Sequence, residues 1–289
     1  MQNFNHLSLN ALRVFCVVAD CSSMKLAAAR LGVTAGAVSL QVRRLEETLG
    51  LQLLHRANNS IQLTDAGAFL HNQSLPALRS LRGTVETLLS GQEEVSVLVP
   101  VTLAIRWLIP RLEGFRSRNP GLRIRIETTM MTGSPPVGGA DVTLAYYPQS
   151  VLPDSADVLL EDRCRPYLSP DLLKRIGESW RLEDIPALES ASENWDWAVW
   201  LAKTARDGTA LHLSGRFDLD DAALRAAVAG VGMVLAPKFI IADDLSSGRL
   251  CALPDTEDVL LGSYVLHRPA SPSRAVDRFV DWLRCSAVT

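Results

Sequence analysis

The segment of residues 26–49, LAAARLGVTAGAVSLQVRRLEETL, constrains the fold more than any other part of the sequence. Ala28, Gly32 and Val38 lie at the spacing that a helix-turn-helix requires. The small residue lets two helices cross closely, the glycine turns the chain, and the branched residue locks the second helix onto the first. The second helix begins at Thr34 and would lie in a DNA major groove. The first part of the chain is therefore predicted to bind double-stranded DNA.

Further helices and a small hairpin are predicted around this motif. Apolar residues recur at helical spacing after Ser8, and Ser23 can cap the next helix. Two short extended segments, residues 51–56 and 60–63, are joined by Ala57, Asn58 and Asn59, and asparagine tolerates left-handed turn geometry. This arrangement predicts a two-stranded wing, so that the unit becomes a winged helix-turn-helix.

A long helix is predicted to follow the wing, with Thr64 as its N-cap. Its apolar residues form a stripe, which indicates that the helix needs a partner: Ala68, Leu70, Leu75, Leu78, Leu81, Val85, Leu88 and Leu89. A second copy of the helix is the favoured partner, and packing against the rest of its own chain is the alternative.

The pattern changes to alternating strands and helices from Val95 onward. Residues 95–99, 123–128 and 141–146 are predicted strands, and residues 104–118 an amphipathic helix, which favours a parallel α/β sheet. The pattern recurs with strands at 211–217, 232–236 and 260–267, and with helices at 220–229, 237–245 and 272–285. Two such halves predict a pair of α/β subdomains with a ligand cleft between them.

Composition and charge narrow the class of protein. Of the residues, 47% are hydrophobic and 21% charged, as in an ordered globular protein. The net charge of −3 is divided into +3 for residues 1–90 and −6 for the remainder, which suits a DNA-binding segment joined to a domain that does not touch DNA. No signal peptide or membrane segment is recognised, and five scattered cysteines support neither a disulfide framework nor a metal site. A cytoplasmic protein without a cofactor is expected.

The chain resembles the LysR-type transcriptional regulators over essentially its full length. The resemblance is carried by AAARLGVTAGAVSLQVRRLEETLG, by LLHR and by LTDAG at residues 63–67. The runs RWLIPRLEGFRSRNP, FD at 217–218, AGVGMVLAP at 229–237 and LGSY at 261–264 are similar to the subgroup that contains the glycine-cleavage activator and the β-lactamase regulator.

This resemblance implies an α/β multidomain architecture. It places a winged helix-turn-helix at residues 1–63, a linker and dimerisation helix at 64–91, and a periplasmic-binding-protein-like effector domain at 92–289. Subdomain I would comprise about residues 92–161 and 267–289, and subdomain II about 162–266. The resemblance also implies a homodimer or homotetramer, binding to an interrupted palindrome near a promoter, contact with RNA polymerase as an open possibility, and a small-molecule effector in the cleft.

The residues expected to read DNA bases lie at the start of the second helix of the motif. Ala35 and Gly36 stand where the family often has Gln and Pro, and neither can make a bidentate hydrogen bond. Direct readout is therefore expected to be weak, with more reliance on DNA shape and on oligomer avidity. The other predicted DNA contacts are Thr34, Ser39, Gln41, Arg43, Arg44, Arg56 at the base of the wing, and Asn59 at its tip.

One alternative to DNA contact is kept open. Arg43 and Arg44 could instead pair with Glu46 and Glu47 on a solvated helix face. Removing Arg56 should weaken binding to all sequences and flatten the salt dependence, if the wing is assigned correctly.

The effector is expected at the end of the first strand of the effector domain. Thr102 and Leu103 open a helix there, which suits a carboxylate, although Thr102 could simply cap the helix. Asp220 replaces the small hydroxyl residue that the subgroup usually has. A carboxylate repels a carboxylate but would hold an amine, so a ligand with a cationic group is suspected. Asp218, Tyr146 and Tyr264 complete the predicted ligand site; for the aspartates the alternative is capping of the following helix, and for Tyr264 core packing.

Two other functions compete with ligand-controlled DNA binding. A redox-sensing regulator would need a cysteine with a lowered pKa, and Cys164 has Arg163 and Arg165 beside it. An enzyme would need catalytic equipment, but the sequence contains no GxSxG, HExxH, P-loop or GxGxxG pattern. An enzymatic function is therefore not expected.

Overall fold

The computed structural model describes residues 7–57, 60–90, 93–130, 132–133, 140–177, 179–190, 195–206 and 208–287. Within these ranges the description covers the backbone alone at Arg56, Ala57, Ser60, Pro76, Arg79, Ser80, Glu86, Thr87, Leu89, Ser90 and Trp195. The chain divides into two compact units, an N-terminal unit up to Ser90 and a C-terminal unit from Glu93 onward.

Three helices form the first part of the N-terminal unit: α1 (Leu9–Cys21), α2 (Met24–Leu31) and α3 (Ala35–Leu49). Each begins where the sequence predicted a cap, because the hydroxyl of the preceding Ser8, Ser23 or Thr34 accepts a hydrogen bond from the first turn. The helices α2 and α3 end at glycines with positive φ, Gly32 and Gly50. The predicted helix-turn-helix is thereby confirmed.

The core of the N-terminal unit lies where these helices cross. Val38 and Val42 on α3 are fully buried together with Phe15 and Val18 on α1, while Ala28 is 5% exposed. Apolar residues at helical spacing thus turn one face of each helix inward. The opposite face of α3 stays in solvent.

The predicted wing is an antiparallel hairpin of β1 (Leu54–Ala57) and β2 (Ser60–Leu63), paired from Leu54 opposite Leu63 to Ala57 opposite Ser60. Glu46 on α3 holds its first strand, because its carboxylate accepts hydrogen bonds from the backbone N–H groups of Leu53 (2.8 Å) and Leu54 (3.2 Å). The wing is therefore fixed to the end of α3.

The long helix α4 (Asp65–Ser90) follows and is capped by Thr64, whose hydroxyl accepts from the N–H of Gly67. Its beginning packs against the N-terminal unit through Ala66, Leu70, Leu75 and Leu78. Further along, Leu81, Val85 and Leu88 are 53%, 53% and 78% exposed. The first half of the stripe thus packs on its own chain, as the alternative predicted, while Leu81, Val85 and Leu88 are exposed and their pairing with a second copy of the helix stays a prediction.

A mixed sheet forms the centre of the C-terminal unit. Its strands are β3 (Glu94–Pro100), β4 (Arg123–Thr129), β5 (Val142–Pro148), β6 (Val158–Leu168), β9 (Val234–Pro237), β10 (Cys251–Ala252) and β11 (Val259–His267). The order is β10-β6-β11-β5-β3-β4, with β9 also on β6. The strands β3, β4 and β5 are parallel, but β11 is antiparallel to both β5 and β6. The parallel arrangement predicted from the first three strands is therefore confirmed, whereas the strand predicted at 260–267 joins the sheet in the antiparallel direction.

Helices cover this sheet and complete its core. One continuous helix consists of α5 (Val101–Leu103), a π-helical turn (Ala104–Leu108) and α6 (Ile109–Arg116), and the closing helix is α11 (Arg274–Ala287). They meet through Phe115 and Phe279, whose rings pack edge to face at 5.3 Å.

The remaining elements form a smaller layer. It contains α7 (Pro170–Ile176), the parallel pair β7 (Pro186–Glu189) and β8 (His212–Arg216), α8 (Trp195–Lys203), α9 (Asp220–Val228) and α10 (Ala242–Ser246). The helix predicted at 237–245 begins later, because turns at residues 237–241 precede it. Residues from both predicted subdomains share one hydrophobic cluster, and their boundaries stay a prediction.

Candidate functional site

The start of α3 offers a surface of small groups. Thr34, Ala35 and Gly36 are exposed, and Ser39 and Gln41 lie further along the same helix. Ala35 and Gly36 leave the helix backbone accessible rather than presenting long polar side chains. Side chains without polar atoms at these two positions are consistent with the expectation of few direct hydrogen bonds to bases.

Two arginines lie further along α3. Arg43 and Arg44 are exposed, and within the described residues neither forms an ion pair with Glu46 or Glu47. The carboxylate of Glu46 is engaged instead by the wing. The alternative interpretation of an intrahelical charge network therefore has no support. The side chain of Arg56 and all of Asn59 lie outside the described residues.

A cleft of about 640 Å³ opens in the C-terminal unit. Thr102, Tyr146, Asp218, Asp220 and Tyr264, all predicted from the sequence, lie on its wall. The side chain of Leu103 does not, because it is fully buried in the hydrophobic core. That prediction is corrected. Residues that the sequence interpretation missed also line the cleft: Asp162, Cys164, Ser190 and Asp196.

Thr102 has an unusual environment. It lies inside the first turn of its helix, after Pro100 in the N-cap position, so it is not the cap that the alternative interpretation required. It is 5% exposed, and its Oγ1 has no hydrogen-bond partner within the described part of the chain. A buried hydroxyl without a partner costs free energy, of the order of 1–3 kcal/mol. A ligand group in the cleft would remove that cost.

Asp162 on β6 is a buried carboxylate at the back of the cleft. Its oxygens accept hydrogen bonds from the hydroxyl of Tyr146 (2.7 Å) and from the thiol of Cys164 (3.1 Å). Tyr146 fits there because Gly262, on the adjacent strand β11, has no side chain. A Cβ on Gly262 would lie 2.5 Å from the tyrosine oxygen. Burial raises the pKa of Asp162, more than its two hydrogen bonds lower it.

Two further carboxylates share the cleft with Asp162. Asp196, at the start of α8, is 8% exposed, and burial, with the charges of Asp220 and Asp162 adding to it, raises its pKa to about 6. Asp220, at the start of α9, reaches solvent through the cleft but is surrounded by protein, which raises its pKa; a hydrogen bond with Ser190 opposes this. Leu219 occupies the N-cap position of α9, so neither Asp218 nor Asp220 caps that helix.

An ion-pair network lies beside the cleft, at the residue next to Asp220. Arg106, in the π-helical turn, donates from Nε to Asp221 (2.5 Å) and from Nη1 to Asp244 (2.6 Å). Asp221 and Asp244 are 5% and 2% exposed. Burial raises the pKa of Asp221, but hydrogen bonds from Arg225 and Arg106 outweigh it and leave the pKa lowered. This network ties the beginnings of α9 and α10 to the helix that carries Thr102.

The raised pKa of Asp196 predicts that the Asp196→Asn variant is more stable than the wild type at pH 7.5, by about 1–2 kcal/mol. An aspartate whose folded pKa of about 6 lies above its unfolded value binds more protons in the native state. Its contribution therefore falls as pH rises from about 4 to 6.5. Urea unfolding at pH 4.5 and 7.5 should show that the gain is larger at pH 7.5. The exposed Asp154 is the control, since Asp154→Asn should show no such dependence. An equal gain at both values would contradict the assignment.

Cys164 does not have the environment of a redox sensor. It is 4% exposed, and burial together with Asp162 raises the pKa of its thiol well above the ordinary value. A reactive thiolate requires the opposite shift. The redox alternative is therefore unsupported. Within the described residues there is no group of three or more His, Cys, Asp or Glu that could hold a metal ion, and no helix that could span a membrane.

Two family models match the chain. The model of the bacterial regulatory helix-turn-helix of the lysR family covers residues 9–68, and the LysR substrate binding domain covers residues 90–287. The chain is 35% identical over 288 residues to the HTH-type transcriptional regulator TrpI of Pseudomonas aeruginosa, with 96% of each protein covered. It is 29% identical over 293 residues to the glycine cleavage system transcriptional activator of Escherichia coli K12, covering 96% of this chain and 93% of that protein.

A solved structure resembles the C-terminal unit. The AmpR effector binding domain from Citrobacter freundii shares 28% identity and a TM-score of 0.57, covering 68% of this chain and 99% of that chain. These matches account for both units of the molecule, with an HTH model on the first and a substrate-binding model on the second.

Proposed function

Since the chain belongs to the LysR family of bacterial transcriptional regulators, we propose that its cleft binds the small-molecule effector and that α3 and the wing contact the operator. The observation that carries the effector proposal is the buried, unpartnered hydroxyl of Thr102 on the cleft wall, which has no partner among the described residues. Tyr146, Asp218, Asp220 and Tyr264 complete the proposed site.

The proposed DNA contacts are Thr34, Ala35, Gly36, Ser39, Gln41, Arg43 and Arg44 on α3, with Arg56 and Asn59 in the wing. The exposure of the start of α3 and the two solvent-facing arginines support this assignment. Arginines that contact phosphates supply affinity without sequence preference, while the small side chains at 35 and 36 limit base readout.

The proposed assembly is a homodimer, or a homotetramer built from two dimers. Leu81, Val85 and Leu88 support it, since their exposed side chains follow helical spacing on α4 and would be covered by a second copy of the helix. A two-fold symmetric reader implies an operator with palindromic half-sites, consistent with an interrupted palindrome near a promoter. Contact with RNA polymerase and a cytoplasmic location belong to the same proposal.

The DNA contacts are tested with the double variant Arg43→Ala/Arg44→Ala. We expect weaker operator binding and a log K against log salt slope that is less steep by about 0.9 for each phosphate that is no longer neutralised. Fluorescence anisotropy with operator DNA at several salt concentrations measures both. Arg13→Ala, an exposed arginine on α1 that is hydrogen-bonded to Asn10, is the matched control and should leave the slope unchanged. An unchanged slope in the double variant would assign both arginines to the solvated face.

A further inference from the structure

The wall of the cleft carries an excess of negative charge. Asp162, Asp196, Asp218 and Asp220 all line it, and no lysine or arginine does among the lining residues that the structure describes. The hydrogen-bond partners of Asp162 are a tyrosine and a thiol, and Asp196 accepts from the backbone N–H of Trp197. None of these partners is a cation, so no side chain that the structure describes neutralises these two carboxylates.

The network of Arg106 shows the contrast within a single turn of helix. Asp221, the neighbour of Asp220, is compensated by Arg106 and Arg225 at 2.5 and 2.8 Å. Asp220 faces the cleft, and its hydrogen bond is with the side chain of Ser190, which is neutral. Asp162 and Asp196 are buried (7% and 8% exposed) and Asp220 lies close to them, so a cationic ligand would relieve the desolvation of the buried pair and the repulsion among the three carboxylates.

Thr102 supplies an independent indication of a ligand. Its Oγ1 is buried, has no partner among the described residues, and belongs to a residue of the cleft wall. A hydroxyl can accept a hydrogen bond from an N–H group of a cation. The unused hydroxyl and the uncompensated carboxylates thus share one cavity.

Aromatic rings form another part of the wall. Tyr146 and Tyr264 pack at 5.1 Å between ring centroids, and Phe239 packs behind Tyr264 at 5.9 Å. Aromatic rings attract cations through their quadrupole, and aromatic residues beside carboxylates are typical surroundings of ammonium groups. The apolar part of the same wall, with Leu224, Val234 and Ile240, can take a hydrocarbon portion.

We propose that the cleft selects effectors that carry an ammonium or guanidinium group, held by Asp162, Asp196 and Asp220 and by the hydroxyl of Thr102. This inference rests on the proposed effector site and specifies the charge of its ligand. A site for an anionic ligand would use cationic side chains to pair with a carboxylate or a phosphate. The described lining residues of this cleft include no such side chain.

The test compares probes that differ only in charge. Straight-chain α,ω-diamines, diols and dicarboxylates of matched chain length, with phenethylamine as an aromatic amine, are titrated into the full-length protein at neutral pH. Binding is measured by calorimetry and by the melting temperature, which a ligand of the folded state raises. At least one amine should bind and raise the melting temperature, while the diol and the dicarboxylate of equal length bind at least about tenfold more weakly.

Two variants link binding to the named groups. Asp220→Asn should weaken the amine at least about tenfold, whereas Asp154→Asn, an exposed carboxylate outside the cleft, should not change its affinity. Thr102→Val removes only the hydroxyl. It should weaken the amine while keeping or raising the melting temperature of the ligand-free protein, since it deletes an unpaired buried group, and this separates loss of binding from loss of folding.

The other outcomes each decide between the two proposals. A dicarboxylate or a diol that binds better than every amine, and is weakened by Thr102→Val, would overturn the cationic class and leave the effector site standing. If no compound of the panel binds, both the effector site and the cationic class of its ligand are contradicted. If an amine binds but neither Asp220→Asn nor Thr102→Val changes its affinity, the cation lies outside the proposed group of residues and the inference is overturned.

Discussion

The variant Arg106→Met should lower the free energy of unfolding of the C-terminal unit by about 3–5 kcal/mol. Arg106 is 16% exposed and is hydrogen-bonded to two carboxylates, those of Asp221 and Asp244, which are themselves buried. Methionine keeps much of the volume of the arginine stem but leaves both carboxylates without their shared cation. The penalty is the cost of two buried carboxylates that keep only the solvent-exposed Arg225 and Arg249 as partners, rather than the net value of the ion pairs.

The measurement is urea unfolding followed by tryptophan fluorescence, because all six tryptophans lie beyond residue 100 and report on the C-terminal unit. Arg225→Met is the matched control. Arg225 binds the same Asp221 at 2.8 Å, but its side chain is 72% exposed, so its loss should shift the transition little. Adding Asp221→Asn and Asp244→Asn to Arg106→Met should restore part of the stability. A mild effect of Arg106→Met alone would show that Arg225, which binds Asp221, and Arg249, whose Nε donates to Asp244 at 2.7 Å, already compensate the two carboxylates.

Gly67→Ala should destabilise the N-terminal unit by about 3 kcal/mol, at the upper end of what overpacking costs. Gly67 lies in the first turn of α4, where the backbone carbonyl of Leu53 approaches it. A Cβ at this position would stand 2.1 Å from that oxygen. The oxygen cannot retreat easily, because it also accepts a hydrogen bond from the N–H of Thr64 (3.0 Å). Either the helix or the start of the wing has to move.

Far-UV circular dichroism follows this change, since the N-terminal unit is largely helical and contains no tryptophan. Gly36→Ala is the control for helix propensity. It also lies in a helix, but its added Cβ would meet only the oxygen of Thr34 at 4.0 Å, so it should stabilise by up to about 1 kcal/mol. The urea midpoint of the C-terminal unit, followed by tryptophan fluorescence, should be unchanged in both variants. A Gly67→Ala protein as stable as the Gly36→Ala protein would contradict the close approach of α4 and Leu53.

Much of the N-terminal unit could be predicted because its signals are local. The hydroxyls of Ser8, Ser23 and Thr34 each accept a hydrogen bond from a backbone N–H three residues further along the chain. The apolar spacing of α1 and α3 decides which faces of these helices are buried. The mixed sheet was not predictable in the same way. Whether β11 runs parallel or antiparallel to β5 depends on partners more than a hundred residues apart, and the pattern of each strand is the same in either direction.

Some residues of the candidate site could likewise be predicted from local signals, and others could not. Thr102 and Asp220 were predicted from their places at the starts of helices and Tyr264 from the LGSY run, and all three line the cleft. Asp162 was missed, although a signal existed: Leu160, Asp162 and Cys164 alternate with Glu161 and Arg163, and period two places Asp162 on the buried face of β6. Asp196 had no comparable signal, since only the tertiary fold brings the start of α8 to the cleft. Leu103 was misplaced because neighbours in a helix point in different directions.

The beginning of α9 has a consequence for how such a regulator can change its ligand. Asp220 and Asp221 are chemically identical neighbours, yet the first faces the cleft and the second is bound to Arg106. A substitution at 220 alters the charge presented to a ligand without breaking a buried ion pair, whereas a substitution at 221 removes one of the two buried carboxylates that bind Arg106. A change at residue 220 therefore costs the fold less than a change at the adjacent residue 221, and new effector specificity is most accessible through residue 220.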